Sequence, residues 1–512
     1  MAKLSLWQRI NANLPPRLSY SLRKSVNHTT VSGFATYDEY YIRRFGERPG
    51  GDSAGYADPH PAYAPPTRKT EPSEILQYRR FAKECLETGE PEALLAASSQ
   101  IPTRLWLHPT FRLDYFIALL LVGKFKEARE FAQDTLILGA FDQRSLLRML
   151  GEAYLLDNKH LLGSILDHIA GETKFKMTLK EEIFANNTAL NYLGAEACLR
   201  HGLKSRGSSV SPDLFFFWSN LRLRRGDFAG QLADFNRALA MLGLSEIGLK
   251  SEDRALSVTN LTSAADKRFP TGPLVSIAMS TFNSAATLGP VIESLLRQTY
   301  KNIEILVVDD CSGDTTVEIA TLIARRDPRV RVFRQPQNGG TYRARNRALH
   351  EAKGKFFTCN DSDDWAHPVK IEELVTPLME NGDSIATIGN LLRINEDIGI
   401  RPRQRGYVQE DQSSLCYRKD WVVQNLGFYE TVPFGADSEF LSRLRAVAGD
   451  SVVRISKPLL FADWSKSSLT GSLRTGITDG GTMAAARCKY RTMYRARHAA
   501  GQFFVAAGEA QE

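Results

Sequence analysis

Four short, largely apolar runs in the second half of the chain constrain its fold most. They are LVSIAM at 274–279, IEILVV at 303–308, VRVF at 330–333 and FFTC at 356–359. Continuous apolar runs of this length suit strands covered on both faces. The intervals carry helical sequence, about 285–298, 315–326 and 341–352. Strands alternating with helices predict a parallel sheet. An open sheet of this kind binds ligands beyond the C-terminal ends of its strands. Those ends carry Ser280-Thr281-Phe282-Asn283, Asp309-Asp310, Arg334 and Asp361-Ser362-Asp363-Asp364, so the polar residues converge on one edge.

The edge has neither the GxGxxG of a dinucleotide fold nor the GxxxxGK[ST] of a P-loop. It is dominated by carboxylates, which repel phosphate unless a hard cation intervenes. Mg²⁺ and Mn²⁺ prefer such oxygen ligands and share them with substrate phosphates. The chemistry suggested is transfer from a nucleoside diphosphate, with Mn²⁺ or Mg²⁺ as cofactor.

Taken in order, Val275–Asn283, VVDDCSGD, NGG followed by TYRARN, and NDSDDW resemble the motifs of family 2 glycosyltransferases of the GT-A fold. The resemblance runs from about Pro273 to Gly471. It implies that Ser280, Thr281 and Asn283 line the nucleoside end of a donor pocket. Asp310 would accept a hydrogen bond from the base, most often uracil. Arg343 and Arg345 would reach the diphosphate or brace the aspartates. Asp361 and Asp363 would form the DxD pair, with Asp363 on the metal, Asp361 nearer the ribose and Asp364 supporting. For Asp309 the plainer role is a structural turn acceptor.

Further on, SSLCYRKDWVVQNLGFYE resembles the strand and helix that lead to the catalytic acidic pair, where relatives carry Glu-Asp. This chain has Ala436-Asp437. The resemblance makes Asp437 the general base for a single displacement with inversion, an effect worth about 10²–10⁴-fold in rate. An N-cap is the competing role for Asp437, and Glu439 with Arg443 has the spacing of a simple helical salt bridge. Many relatives place a late His as a further metal or diphosphate ligand. None occurs in KPLLFADWSKSSLTG, where Trp464, Lys466 or Ser468 are the substitutes on offer.

Before this half, residues 73–249 read as helical, with Leu, Ala and Phe at three- and four-residue spacing. Expected turns at Gly123, Asn158 and Gly226 (123 to 158 to 226) stand 35 and then 68 apart, near one and two steps of a 34-residue unit. That period resembles tetratricopeptide repeats, although most of their Trp, Tyr and Pro positions are missing. Such a layer binds a protein partner on a concave face or simply packs against its neighbour. Residues 1–72 read as an extended, partly disordered arm and linker. They comprise a basic start free of Asp and Glu up to residue 37 and a Pro/Gly-rich stretch at 48–72.

The expected organisation is therefore an arm at 1–72, a helical domain at 73–249, a linker at 250–272, a GT-A domain at 273–471 and a basic helical tail at 472–512. Six cysteines without a CxxC pair suggest a reducing, cytoplasmic setting. No apolar run approaches the roughly 18–20 residues of a membrane span, and no secretory leader is expected. In the tail, Arg487, Arg491 and Arg495 share a helical face. A solvated face is the default, and peripheral contact with membrane anions at the inner face of the cell membrane is the sharper alternative. The resulting expectation is an inverting, metal-dependent transferase with a nucleoside-diphosphate (UDP) sugar donor and a glycan or lipid-linked acceptor in surface polysaccharide synthesis, with no nucleic-acid partner. A metal-dependent nucleotidyltransferase, and a non-catalytic helical scaffold with a degenerate transferase domain, are the alternatives.

Overall fold

In the computed structural model the described residues are 73–507, apart from 102–104, 107, 138–141, 157, 172–176, 195–210, 264–271, 404, 465–470 and 473. The arm at 1–72, Cys198, Lys466 and Ser468 lie outside them. The chain divides into two compact units, Met1–Phe175 and Lys176–Glu512.

The first unit is helical: α1 (Ser73–Thr88), α2 (Pro91–Ala96), α3 (Pro109–Leu121), α4 (Phe125–Ile137), α5 (Gln143–Ala153) and α6 (Lys159–Gly171). Its turns follow local chemistry. Gly123, with φ of 79°, supplies the left-handed residue between α3 and α4. Asn158 caps α6 by accepting the Leu161 N–H at 3.0 Å. The core includes a ring cluster in which Trp106 meets Phe111, Tyr115 and Phe131 edge-on. The buried Arg112 guanidinium donates to Thr135 Oγ1 and the Trp106 carbonyl.

The second unit opens with α7 (Leu179–Leu193), α8 (Pro212–Arg224) and α9 (Phe228–Met241). Gly226 turns α8 into α9 with φ of 69°. All three turns expected from the repeat spacing thus fall between helices. The third, however, belongs with the sheet, because α7 and α8 bury polar side chains against it. Asn220 of α8 donates to the Ile400 carbonyl and accepts the Ile400 N–H, both at 2.7 Å. Asp213 accepts the Tyr407 N–H at 3.0 Å. The stretch expected to be a linker is ordered where described. Gly248–Leu249 (β1) pairs antiparallel with Leu261–Thr262 (β2), and Ala255, Leu256, Val258 and Leu261 are buried. Its polar look reflects an internal network centred on Asn260, whose amide donates to the Ser251, Arg254 and Ala255 carbonyls.

The sheet follows as β3 (Val275–Thr281), α10 (Leu288–Leu296), β4 (Ile303–Asp309), α11 (Thr316–Arg326), β5 (Val330–Arg334), α12 (Thr341–Glu351), β6 (Phe356–Cys359) and β7 (Asp364–Ala366). Next come α13 (Lys370–Glu380), β8 (Ala386–Asn395), β9 (Gly399–Arg401), β10 (Gln409–Glu410), β11 (Cys416–Arg418), α14 (Lys419–Asn425), α15 (Ala436–Ala448), β12 (Val452–Asp463) and α16 (Ala485–Ala499). Strand order is β5-β4-β3-β6-β11-β8-β12-β7, with β9 and β10 also on β8. The four strands expected to be parallel are so. Beyond β6 the sheet turns mixed: β11 runs antiparallel to both β6 and β8, while β8 and β12 are parallel. Val275, Ile277, Leu306 and Val308 are buried, as a doubly covered sheet requires. Among the described residues no helix is long and apolar enough to cross a membrane.

Candidate active site

The site is assembled around the first turn of α12. Gly340 is its N-cap, with φ of 84°. Asp310, just past β4, accepts the Gly339 N–H at 2.8 Å on one oxygen and the Gly340 N–H at 2.7 Å on the other. A carboxylate here satisfies orphan helix donors and faces the positive end of the helix dipole. The Thr341 hydroxyl lies 2.5 Å from that of Ser280, past the middle of β3. Tyr342 Oη accepts the Gly435 N–H at 3.0 Å. Arg345, 3% exposed, donates to Asp361 Oδ1 at 2.6 Å. Burial disfavours its charge, but the Asp361 carboxylate more than compensates, holding the guanidinium well above its ordinary value. One helical turn thus ties the ends of β3, β4 and β6 to the start of α15.

The turns after β3 and β4 are closely hydrogen-bonded to each other. Asn283 (φ 50°) and Cys311 (φ 67°) are the described non-glycine residues with positive φ, a strain that clusters at functional sites. Their turns interlock: Asn283 N–H donates to Ser312 Oγ and Gly313 N–H to Asn283 Oδ1, both at 2.9 Å. Asp309 is fully buried and accepts the Ser312 N–H at 3.1 Å, the turn-acceptor role. Asn283 is exposed and Ser280 half-buried, whereas Thr281 is buried, and its carbonyl accepts the Asp310 N–H at 2.8 Å. Arg343 is half-buried and lies over Gly339, where an added Cβ would come within 2.7 Å of its Cδ.

The acidic turn after β6 rests on a buried frame. Asn360 donates to the Asp361 carbonyl at 3.0 Å and to that of Asp364 at 2.8 Å. It accepts in turn from the fully buried Lys370 ammonium at 2.8 Å. Ser362 Oγ lies 2.9 Å from Ser284 Oγ, and the Asp363 carbonyl accepts the Asp463 N–H at 3.2 Å. Burial first, and then the Asp361 charge, push the Asp363 carboxyl up to about 6. Asp364 is raised well above its ordinary value by burial and by both neighbours. Burial lowers Lys370 and Arg393, opposed on both by Asp364 and Asp411. Negative charge is therefore in excess at this turn. Asp361 and Asp363 suit a hard cation that completes its shell with substrate phosphates and water. Among the described residues no three His, Cys, Asp or Glu side chains converge as a complete cation cage.

On the far side, α15 begins after Gly435, which is its N-cap in the left-handed conformation. Asp437 is therefore the second helical residue, half-buried, and accepts the Ser438 N–H at 2.7 Å. Its charge reaches Tyr342, whose phenol is raised by burial first and by Asp437 next. The predicted Glu439–Arg443 pair forms at 3.0 Å, buried at both ends. Helix α16 lies on α15. Tyr490 Oη donates to Glu430 at 2.7 Å, and His498 Nε2 stands 2.9 Å from Glu439 Oε1. The basic face expected to be free is divided: the Arg487 guanidinium lies over the Phe434 ring at 5.5 Å and donates to the Thr475 carbonyl, while Arg495 is exposed.

Sequence reasoning overlooked Asn360, Lys370, Tyr342, Arg393 and Asp411. Arg393 carried a signal, as a charge at the end of the buried run ATIGNLL. The others looked like ordinary polar residues until the fold placed them.

An open α/β sheet with interlocked strand-end turns, an acidic turn and an acidic residue starting a later helix defines a GT-A transferase domain. Residues 276–437 match the family model "Glycosyl transferase family 2", so this stretch is a family 2 glycosyltransferase domain that runs from β3 to Asp437. Over 126 residues the chain is 38% identical to glycosyltransferase GlyG of Streptococcus pneumoniae serotype 4, covering 25% of this chain and 42% of that one. It is 36% identical over 114 residues to the succinoglycan biosynthesis protein ExoO of Rhizobium meliloti, covering 22% and 32%. The chain thus spans less than half the length of these relatives. The crystal structure of S. aureus TarS 1-349 in complex with UDP-GlcNAc aligns at 20% identity and a TM-score of 0.33, over 38% of this chain and 60% of that one.

Proposed function

We propose that this protein is an inverting, divalent-metal-dependent glycosyltransferase. It moves a sugar from a nucleoside-diphosphate sugar, with UDP sugars first in line, to a hydroxyl of a glycan or lipid-linked acceptor in surface polysaccharide assembly. The observation that carries this is the first turn of α12, which holds Asp310, Asp361 and the Asp437 segment in one frame. The family match over 276–437 supports the reaction class, and the donor class follows from the motif resemblance.

Each residue takes a role its position allows. Asn283 and Ser280 meet the nucleoside. Asp310 holds the Gly339–Gly340 turn and offers its remaining lone pairs to the base. Arg343 meets the diphosphate, and Arg345 fixes Asp361 toward the ribose. Asp363 and Asp361 would hold Mn²⁺ or Mg²⁺, which neutralises charge on the departing diphosphate. Asp437 accepts the proton of the acceptor hydroxyl. The acceptor oxygen bonds to the anomeric carbon while the bond from that carbon to the donor phosphate oxygen breaks. The nucleoside diphosphate leaves, and the configuration inverts.

The test is a panel of UDP, GDP and dTDP sugars with Mn²⁺, read as nucleoside diphosphate released with and without glycan acceptors. Release dependent on acceptor supports the proposal. Failure to bind any sugar nucleotide would sink it.

A further inference from the structure

Beside the acidic turn the second unit holds a narrow cleft, partly open to solvent, lined by Arg393, Arg401, Arg403, Gln409, Trp464 and Asp479 among others. The space inside holds about one water-sized group, so only the polar head of a ligand reaches in. Three guanidinium groups and one carboxylate line it, which favours an anionic group, although Asp364 and Asp411 beyond the lining also act on Arg393.

The cleft is built rather than incidental. Arg401 is 4% exposed, lies 3.4 Å over the Trp464 ring and donates to Asp479 at 2.8 Å. Both contacts fix the guanidinium plane. Among the described residues, the buried Arg393 Nε and Gln409 Nε2 meet no hydrogen-bond acceptor. A buried donor left unmade is costly, and an anion in the cleft would supply the acceptor. Arg393 stands opposite Ala462 in the β8–β12 pairing, next to Asp463, whose N–H reaches the Asp363 carbonyl. The cleft therefore abuts the acidic turn on the side away from β3 and β4, where the nucleoside edge lies.

The helical layer anchors the backbone beside Arg401. Asn220 clamps both backbone groups of Ile400, next to Arg401, and accepts nothing bulkier than glycine at 399, where φ is 76° and a Cβ would run into its side chain. Asp213 secures Tyr407 on the other flank.

We propose that the Arg393–Arg401–Arg403 cleft is an anion subsite for the acceptor, which carries a phosphate or carboxylate that docks there while its hydroxyl faces the donor. This rests on the transferase reading. Inorganic phosphate and glucose 6-phosphate are the probes, titrated by calorimetry into the full chain with Mg²⁺, with and without saturating UDP. Both should bind, the sugar phosphate at least as tightly as inorganic phosphate. Arg403→Gln and Arg393→Gln should each weaken binding about tenfold or more, since a charge-assisted hydrogen bond is lost. UDP affinity and the circular dichroism spectrum should not change for Arg403→Gln, which lies in a half-buried loop. Binding insensitive to both substitutions overturns the subsite. Binding that UDP abolishes assigns the cleft to the donor and overturns the acceptor role. Binding of inorganic phosphate alone makes it an adventitious ion only. Failure of UDP itself to bind takes down the transferase reading, and the acceptor assignment with it.

Discussion

The Arg345 guanidinium donates to Asp361 Oδ1 at 2.6 Å from a position 3% exposed. That bond fixes the first carboxylate of the acidic turn to the helix that also carries Thr341 and Tyr342. Removing one partner of a buried ion pair costs about 3–5 kcal/mol. Asp361 is 34% exposed, so water recovers part of the loss. Arg345→Met should therefore cost about 2–3 kcal/mol in urea unfolding and weaken UDP binding. Arg345→Lys should restore stability in part but not the donor affinity, because an ammonium lacks the planar fork.

Asp363 gives a pH test with a definite sign. Its carboxyl stands at about 6 in the fold against an ordinary 3.8. A raised carboxyl contributes stability that is complete below about pH 4 and is lost as pH rises through about 6. Without a divalent cation the protein should lose about 1–3 kcal/mol between those values, a few degrees in Tm. Mn²⁺ should raise Tm at pH 7.5 and not at pH 4.5. Asp363→Asn should raise the metal-free Tm at pH 7.5 and abolish the Mn²⁺ shift. An unchanged Mn²⁺ shift in that variant would remove Asp363 from the cation site.

Asn220 should matter far beyond its helix. Asn220→Ala leaves the Ile400 N–H and carbonyl without their partner, at about 1–3 kcal/mol for each buried group. A loss of about 2–4 kcal/mol is expected, together with faster tryptic cleavage at Arg401, Arg403 or Arg405. Unaltered cleavage would show that the helical layer does not hold this loop.

Tyr342→Phe deletes the acceptor for the Gly435 N–H while keeping the ring. An unsatisfied buried N–H costs about 1–3 kcal/mol. The expected signature is a fall in turnover with little change in donor KM, because the start of α15 shifts while the donor edge does not.

The strand-end residues assigned to the donor were legible in the sequence because each of them is local. A strand ends, and its polar residues follow within a few positions, as at Asn283, Asp310 and Asp361. The parallel sheet from β3 to β6 follows from the same runs. The frame around β8, β12 and the acidic turn depends on contacts far apart in sequence. Nothing local to Asn220 shows that it clamps Ile400, and nothing local to Lys370 shows that it props Asn360. The break between compact units was hidden for the same reason. Residues 250–263 look like a linker because they are polar, yet Asn260 satisfies them internally, and the helices before them carry Asn220 and Asp213 into the sheet. The tail's arginines read as a free basic face because period alone cannot show that Tyr490 and Arg497 reach Glu430.

The most direct test of the account is acceptor-dependent release of UDP from a UDP sugar by the wild-type chain and by Asp437→Asn, with UDP affinity measured on both. A lost base should lower kcat about 10²–10⁴-fold and leave UDP binding unchanged, since Asp437 lies outside the donor turns. Full turnover in Asp437→Asn, or no turnover with any nucleotide sugar in the wild type, would contradict it.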